Sequence, residues 1–104
     1  MTWFGSTSRD TTCESCLSSP DAVGLTGDDL TLYISDTNND RISVWTRPNA
    51  SSREWSVETT FGLPGDGEGD LNLPDGLAIT QDGNGLWVAD RMNNRISVWI
   101  KRPS

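Results

Sequence analysis

No histidine occurs anywhere in the chain, and only two cysteines do. The first absence removes imidazole general bases, His-based catalytic triads and His-ligated zinc together. With Cys13 and Cys16 as the only thiols, a four-cysteine zinc site is excluded as well. Positive charge is scarce: eight Lys and Arg stand against fifteen Asp and Glu, for a net charge of −7 and a pI near 4.2. The basic residues form no dense run, since only Lys101 and Arg102 are adjacent. A surface so rich in carboxylates repels duplex DNA, RNA and anionic membranes alike, so neither nucleic acid nor membrane is expected as a partner. No stretch approaches the roughly 20 apolar residues of a membrane span. The N-terminal MTWFGSTSRD lacks the charged start and apolar core of a signal peptide. Location therefore stays open, an extracellular or cell-surface context being compatible with a fragment. Helical periodicity is missing too, and 104 residues make at most one small domain or part of a larger one.

What the chain does have is a repeat. Leu32 to Trp45 (LYISDTNNDRISVW) returns at Leu86 to Trp99 (LWVADRMNNRISVW), 54 positions later. A repeat of this kind settles architecture before any residue is given a role. Each copy reads as three short strands: Ala22–Thr26, Leu32–Asp36 and Arg41–Trp45 in the first, Gly76–Thr80, Leu86–Asp90 and Arg95–Ile100 in the second. Turn chemistry separates them, in Gly27–Asp29, in DTNND over Asp36–Asp40 and in DGNG over Asp82–Gly85. A polar linker with Pro48 leads to a fourth strand over Glu54–Phe61. The second copy stops without one, and Thr2–Gly5 (TWFG) matches Thr59–Gly62 (TTFG). The order is thus d–abcd–abc, with an orphan strand at the N-terminus.

The run Phe61-Gly62, Gly65–Gly67, Pro74–Thr80, Asp82-Gly83, Leu86–Asp90 and Asn94–Trp99 resembles the NHL repeat, and Pro20–Trp45 is similar to it. The first copy departs in its connecting loop, where residues 5–16 replace the glycine-rich run and are longer. The resemblance implies an all-β fold of two four-stranded antiparallel propeller blades. It implies one unit over residues 1–104, with the orphan strand at 1–5, blade one at 20–62 and three strands of blade two at 74–100. Propellers of this group are commonly six-bladed rings.

Both faces of such blades are apolar. In the first strands Ala22 and Gly24 (Gly76 and Ala78) share one face, and Val23 and Leu25 (Leu77 and Ile79) the other, which fits a wedge narrowing towards an axis. An isolated pair of blades leaves two such faces in water. Several apolar side chains per face at about 1.5–3 kcal/mol each rival the net stability of a whole domain, about 5–15 kcal/mol. Further blades are expected to cover them. If they come from identical chains, a six-bladed ring is a homotrimer, with each Thr2–Gly5 strand completing a neighbour's blade.

The chemistry-bearing residues are few. Asp36 and Asp90 look like paired carboxylates. However, the spacing D-x-x-N-x-R joins them to Asn39 and Arg41, and to Asn93 and Arg95, and favours a structural turn motif in which each Asp accepts turn N–H bonds. Asp66, Glu68 and Asp70 alternate like the start of a calcium loop, but Leu71 and Leu77 stand where an EF-hand needs Gly and Glu. A plain inter-blade loop is the favoured reading and weak calcium binding the residual one. Cys13-x-x-Cys16 is open between two free thiols, a local disulfide and a metal or redox role. Among the five tryptophans, Trp45 and Trp99 fit packing between blades, and Trp55 is the candidate for ligand contact. Asp21 and Asp75 fall on candidate rim segments.

The expected function is a non-enzymatic binding or scaffold module that self-assembles into a ring and takes a protein, peptide or glycan on its rim loops or in its channel. The alternative is a metal-dependent propeller enzyme of lactonase or lyase type. The resemblance makes an amidating lyase unfavourable, because its zinc site uses histidines. A calcium-dependent lactonase needs acidic and Asn residues converging on the axis, where the first strands offer Ala, Gly, Val, Leu, Ile and Thr.

Overall fold

The computed structural model describes residues 13–101 together with the backbone of residues 2 and 3. Its strands, numbered in chain order, are β1 (Thr2–Trp3), β2 (Pro20–Leu25), β3 (Thr31–Asp36), β4 (Arg41–Thr46), β5 (Ser56–Phe61), β6 (Leu63–Pro64), β7 (Asp70–Leu71), β8 (Pro74–Ile79), β9 (Gly85–Asp90) and β10 (Arg95–Lys101). The protein is all-β, as the alternating patterns require. Blade one is the antiparallel sheet β2-β3-β4-β5, and blade two is β8-β9-β10 with β1 on its outer edge.

Corresponding strands take corresponding irregularities. The register slips after the leading proline in both first strands, between Pro20 and Val23 and between Pro74 and Gly76. Proline has no N–H for a ladder, so it suits the first residue of a strand. Between second and third strands each blade makes one 3-10 turn, Thr37–Asn39 or Arg91–Asn93. The turns end on Asp40 (φ 55°) and Asn94 (φ 53°), residue types whose short polar side chains tolerate the left-handed region.

The blades stack face to face. Tyr33, Ile42, Val44 and Phe61 from blade one meet Leu86, Val88 and Trp99 from blade two and Leu71 from the connecting loop, with Leu77 and Ile79 packed against them. The Phe61 and Trp99 rings lie 4.6 Å apart at 44°. Closest approach between the blades is at the first strands, β2 and β8. There the small face of one strand meets the large face of the other: a Cβ on Gly24 would lie 2.8 Å from Leu77 Cδ1 and 3.1 Å from Ile79 Cδ1. Only glycine lets β2 come this near, which is the narrow end of the wedge.

Three features differ from expectation. The N-terminal strand completes a blade of its own chain rather than a neighbour's: Thr2 pairs with Ile100 and Trp3 with Lys101, in parallel. An open sheet edge offers unpaired N–H and C=O groups to any strand that reaches it, and at the outer edge of β10 a strand of the same chain takes that place. Phe4 and Gly5, the rest of the expected strand, lie outside the described residues. Second, the glycine-rich run is not featureless, because β6 and β7 form a two-stranded parallel ladder. Third, β2 and β8 begin at Pro20 and Pro74, two residues before the expected starts at Ala22 and Gly76, so Asp21 and Asp75 lie at strand starts.

Candidate functional site

The repeated motif builds the same device twice on one rim. In blade one, Asp36 is fully buried at the end of β3. Its Oδ2 accepts from Arg41 Nε at 2.8 Å and from Asn39 Nδ2 at 2.9 Å, while Oδ1 accepts the Ser18 backbone N–H at 2.7 Å. The Arg41 guanidinium then donates onward to the carbonyls of Cys16 (2.8 Å) and Cys13 (3.1 Å). In blade two, Asp90 Oδ2 accepts from Arg95 Nε at 2.8 Å and Asn93 Nδ2 at 2.9 Å, and Oδ1 accepts Asn72 N–H at 2.7 Å. Arg95 donates to the carbonyls of Gly67 (2.7 Å), Asp70 (2.7 Å) and Asp66 (3.2 Å).

Each carboxylate therefore binds the loop that precedes its own blade. The backbone N–H it accepts comes from Ser18 or Asn72, not from the turn that follows it; neither aspartate caps its 3-10 turn. That N–H lies 18 residues upstream, beyond what local spacing reveals. Asp36 and Asp90 are fully buried and each accepts three hydrogen bonds, so neither has the solvent access of a general base.

The acidic loop is organised around the same guanidinium. Carbonyls of Asp66, Gly67 and Asp70, the kind of oxygens a calcium loop turns inward, point at Arg95. The Asp70 carboxylate accepts the Gly67 N–H at 3.0 Å, and Asp66 and Glu68 are exposed. Among the described residues no three His, Cys, Asp or Glu side chains group to hold a metal.

The remaining sequence candidates separate. Cys13 and Cys16 are joined by a disulfide in the loop that Arg41 grips. Trp55 is half-buried with the Arg47 guanidinium 4.6 Å over its ring, so it is not the open aromatic that its polar linker implies. Among the tryptophans whose side chains are described, Trp87, on the outer face of blade two, is the exposed one at 49%. Asp75 lies 3.6 Å from Arg91 in a half-exposed ion pair, and Asp21 is exposed without joining any cluster.

The opposite rim carries a cleft of about 340 Å³ between the first turns of the two blades, lined by Asp28, Tyr33, Asp82, Asn84 and Lys101 among others. Asp28 and Asp82 hold matching places. The Thr26 hydroxyl, then the Leu30 N–H, pulls the Asp28 carboxyl below its usual range; Thr80 and Asn84 do the same to Asp82. Burial, with Glu58 and Asp28 nearby, pushes the Tyr33 hydroxyl up to about 12. The cleft thus offers two fixed anions and a lysine.

Both outer sheet faces carry exposed apolar side chains. Val23 and Leu25 stand exposed on blade one, and Trp87, Ile96, Val98 and Ile100 on blade two. Contiguous apolar exposure of this kind marks an interaction surface. A comparison with curated proteins finds no match. The model of the SMP-30/gluconolactonase/LRE-like region, by contrast, matches residues 4–102. The chain therefore belongs to the SMP-30/gluconolactonase/LRE-like family, a β-propeller family related to NHL repeats.

Proposed function

We propose that this chain is a non-enzymatic propeller module, a two-blade arc that closes a ring with copies of itself and serves as a binding scaffold. The observation that carries the reading is the exposure of apolar side chains on both outer sheet faces, Val23 at 65% and Ile96 at 62%. The buried carboxylates support it from the other side, because Asp36 and Asp90 hold loops in place rather than face solvent. A six-bladed ring takes three chains, and the rim loops and axial channel then remain for a protein, peptide or glycan. Light scattering of the 104-residue chain tests this. A species of three times the 11.4 kDa chain mass is expected; a stable single-chain species at micromolar concentration overturns it.

The second reading is a metal-dependent lactonase, a class whose name the family's description shares. A lactone-hydrolysis screen with added divalent metal separates the two. Turnover that follows stoichiometric metal binding displaces the scaffold reading, and its lack sustains it.

A further inference from the structure

The 54-residue correspondence relates the exposed faces to the buried one. Leu17, Val23 and Leu25 are exposed, whereas their counterparts 54 positions on, Leu71, Leu77 and Ile79, belong to the core between the blades. Trp87, Ile96 and Val98 are exposed, whereas Tyr33, Ile42 and Val44, 54 positions back, are its other half. The open face of blade one is thus the image of blade two's buried face. The open face of blade two is the image of blade one's buried face. The two open faces are complementary to each other, and neither is complementary to itself.

Polar contacts across the internal seam carry the same relation. Leu73 N–H donates to Asp40 Oδ1 at 2.8 Å, and Thr37 Oγ1 donates to Pro74 O at 2.6 Å. The counterparts of the first pair are Ser19 and Asn94, of the second Arg91 and Pro20. Each substitution keeps the donor or acceptor its place requires: Asn94 keeps a side-chain oxygen and Arg91 a side-chain donor. Backbone geometry agrees, Ser19 and Leu73 having φ of 49° and 51°, Asp40 and Asn94 of 55° and 53°. Ser19 and Asn94 thus hold, on the two open faces, the places that Leu73 and Asp40 hold across the internal seam.

We infer that the chain docks on a second copy of itself head to tail, blade two of one copy stacking on blade one of the next, with Ala78 facing Val23 and Leu25 where Gly24 faces Leu77 and Ile79, the Cβ of Ala78 being matched by the smaller Val23 in place of Leu77. This rests on the scaffold reading above and adds the polarity and register of the contact. Such an interface is heterologous: it closes into a ring or runs on as a filament, and it never forms a two-fold dimer.

Mixing two half-crippled variants tests it. Val23→Glu damages only the face of blade one and Ile96→Glu only that of blade two, and both positions are open to solvent in the single chain. Each variant alone is expected to show single-chain mass with an unchanged far-ultraviolet spectrum. An equimolar mixture is expected to give a one-to-one heterodimer, each chain offering the other its intact face. Should either spectrum change, Val23→Ser and Ile96→Ser provide the same comparison. Self-association of either variant like the wild type, or a mixture that stays single-chain while the wild type assembles, overturns the head-to-tail contact and leaves the scaffold reading standing. A wild type that is itself single-chain removes both, and assigns the open faces to some other occupant.

Discussion

Asp36 and Asp90 make the same bonds at the same distances, yet their arginines differ in exposure: the Arg41 side chain is 8% exposed and that of Arg95 is 32%. An arginine that loses its carboxylate can turn to water only where water is near. Asp36→Asn is therefore expected to cost about 3–5 kcal/mol, the range for stranding a buried charge, and Asp90→Asn distinctly less. Urea denaturation of the two variants checks the order, and equal losses would contradict it. Tyr33 offers a second reading at this scale, because it is the only tyrosine. Its hydroxyl ionises at about 12 in the folded chain against an ordinary value of 10. Between those values the unfolded chain has released a proton that the folded one still holds, so stability falls as pH rises from about 10 to 12. Ultraviolet titration of phenolate absorbance measures the folded value directly. Spacing alone brought Asp36, Asn39 and Arg41 together, since all three lie within six residues. The Ser18 N–H and the Arg47 stack on Trp55 were not legible, because neither partner is a sequence neighbour.

Strand by strand, β-branched and aromatic runs bounded by turn residues placed the seven long strands to within two residues at each end. The short ladder of β6 and β7 escaped that logic, because two residues are too few to make a run. Parallel pairing of β1 escaped it too: the TWFG likeness to TTFG points to an antiparallel fourth strand, whereas an open edge accepts either direction. Glycines test the packing of these elements. Gly24→Val forces a side chain into Leu77 and Ile79 and is expected to cost about 1–3 kcal/mol by overpacking. Gly62 has φ +100°, and a Cβ there would lie 2.7 Å from the Leu71 side chain, so Gly62→Ala combines strain with a clash at a similar cost. Gly27 has nothing within 4 Å of an added Cβ, and Gly27→Ala is expected to stay within about 0.5 kcal/mol of wild type. Thermal melts of the three separate tight seam from open turn.

For the molecule as a whole, the repeat and its two-faced apolar pattern already announced propeller blades, and the family match over residues 4–102 agrees. Which exposed face fits which was not readable from pattern, because it depends on which side of each sheet the chain itself has already covered. The loops add one more consequence. Arg95 and Asp90 fasten residues 66–72 to blade two, and Arg41 and Asp36 fasten residues 13–18 to blade one, so each connecting stretch moves with the blade it enters rather than the one it leaves. A transplantable cassette in this chain accordingly starts just after Phe61-Gly62. A graft cut immediately before Pro74 would leave behind the carbonyls its arginine needs.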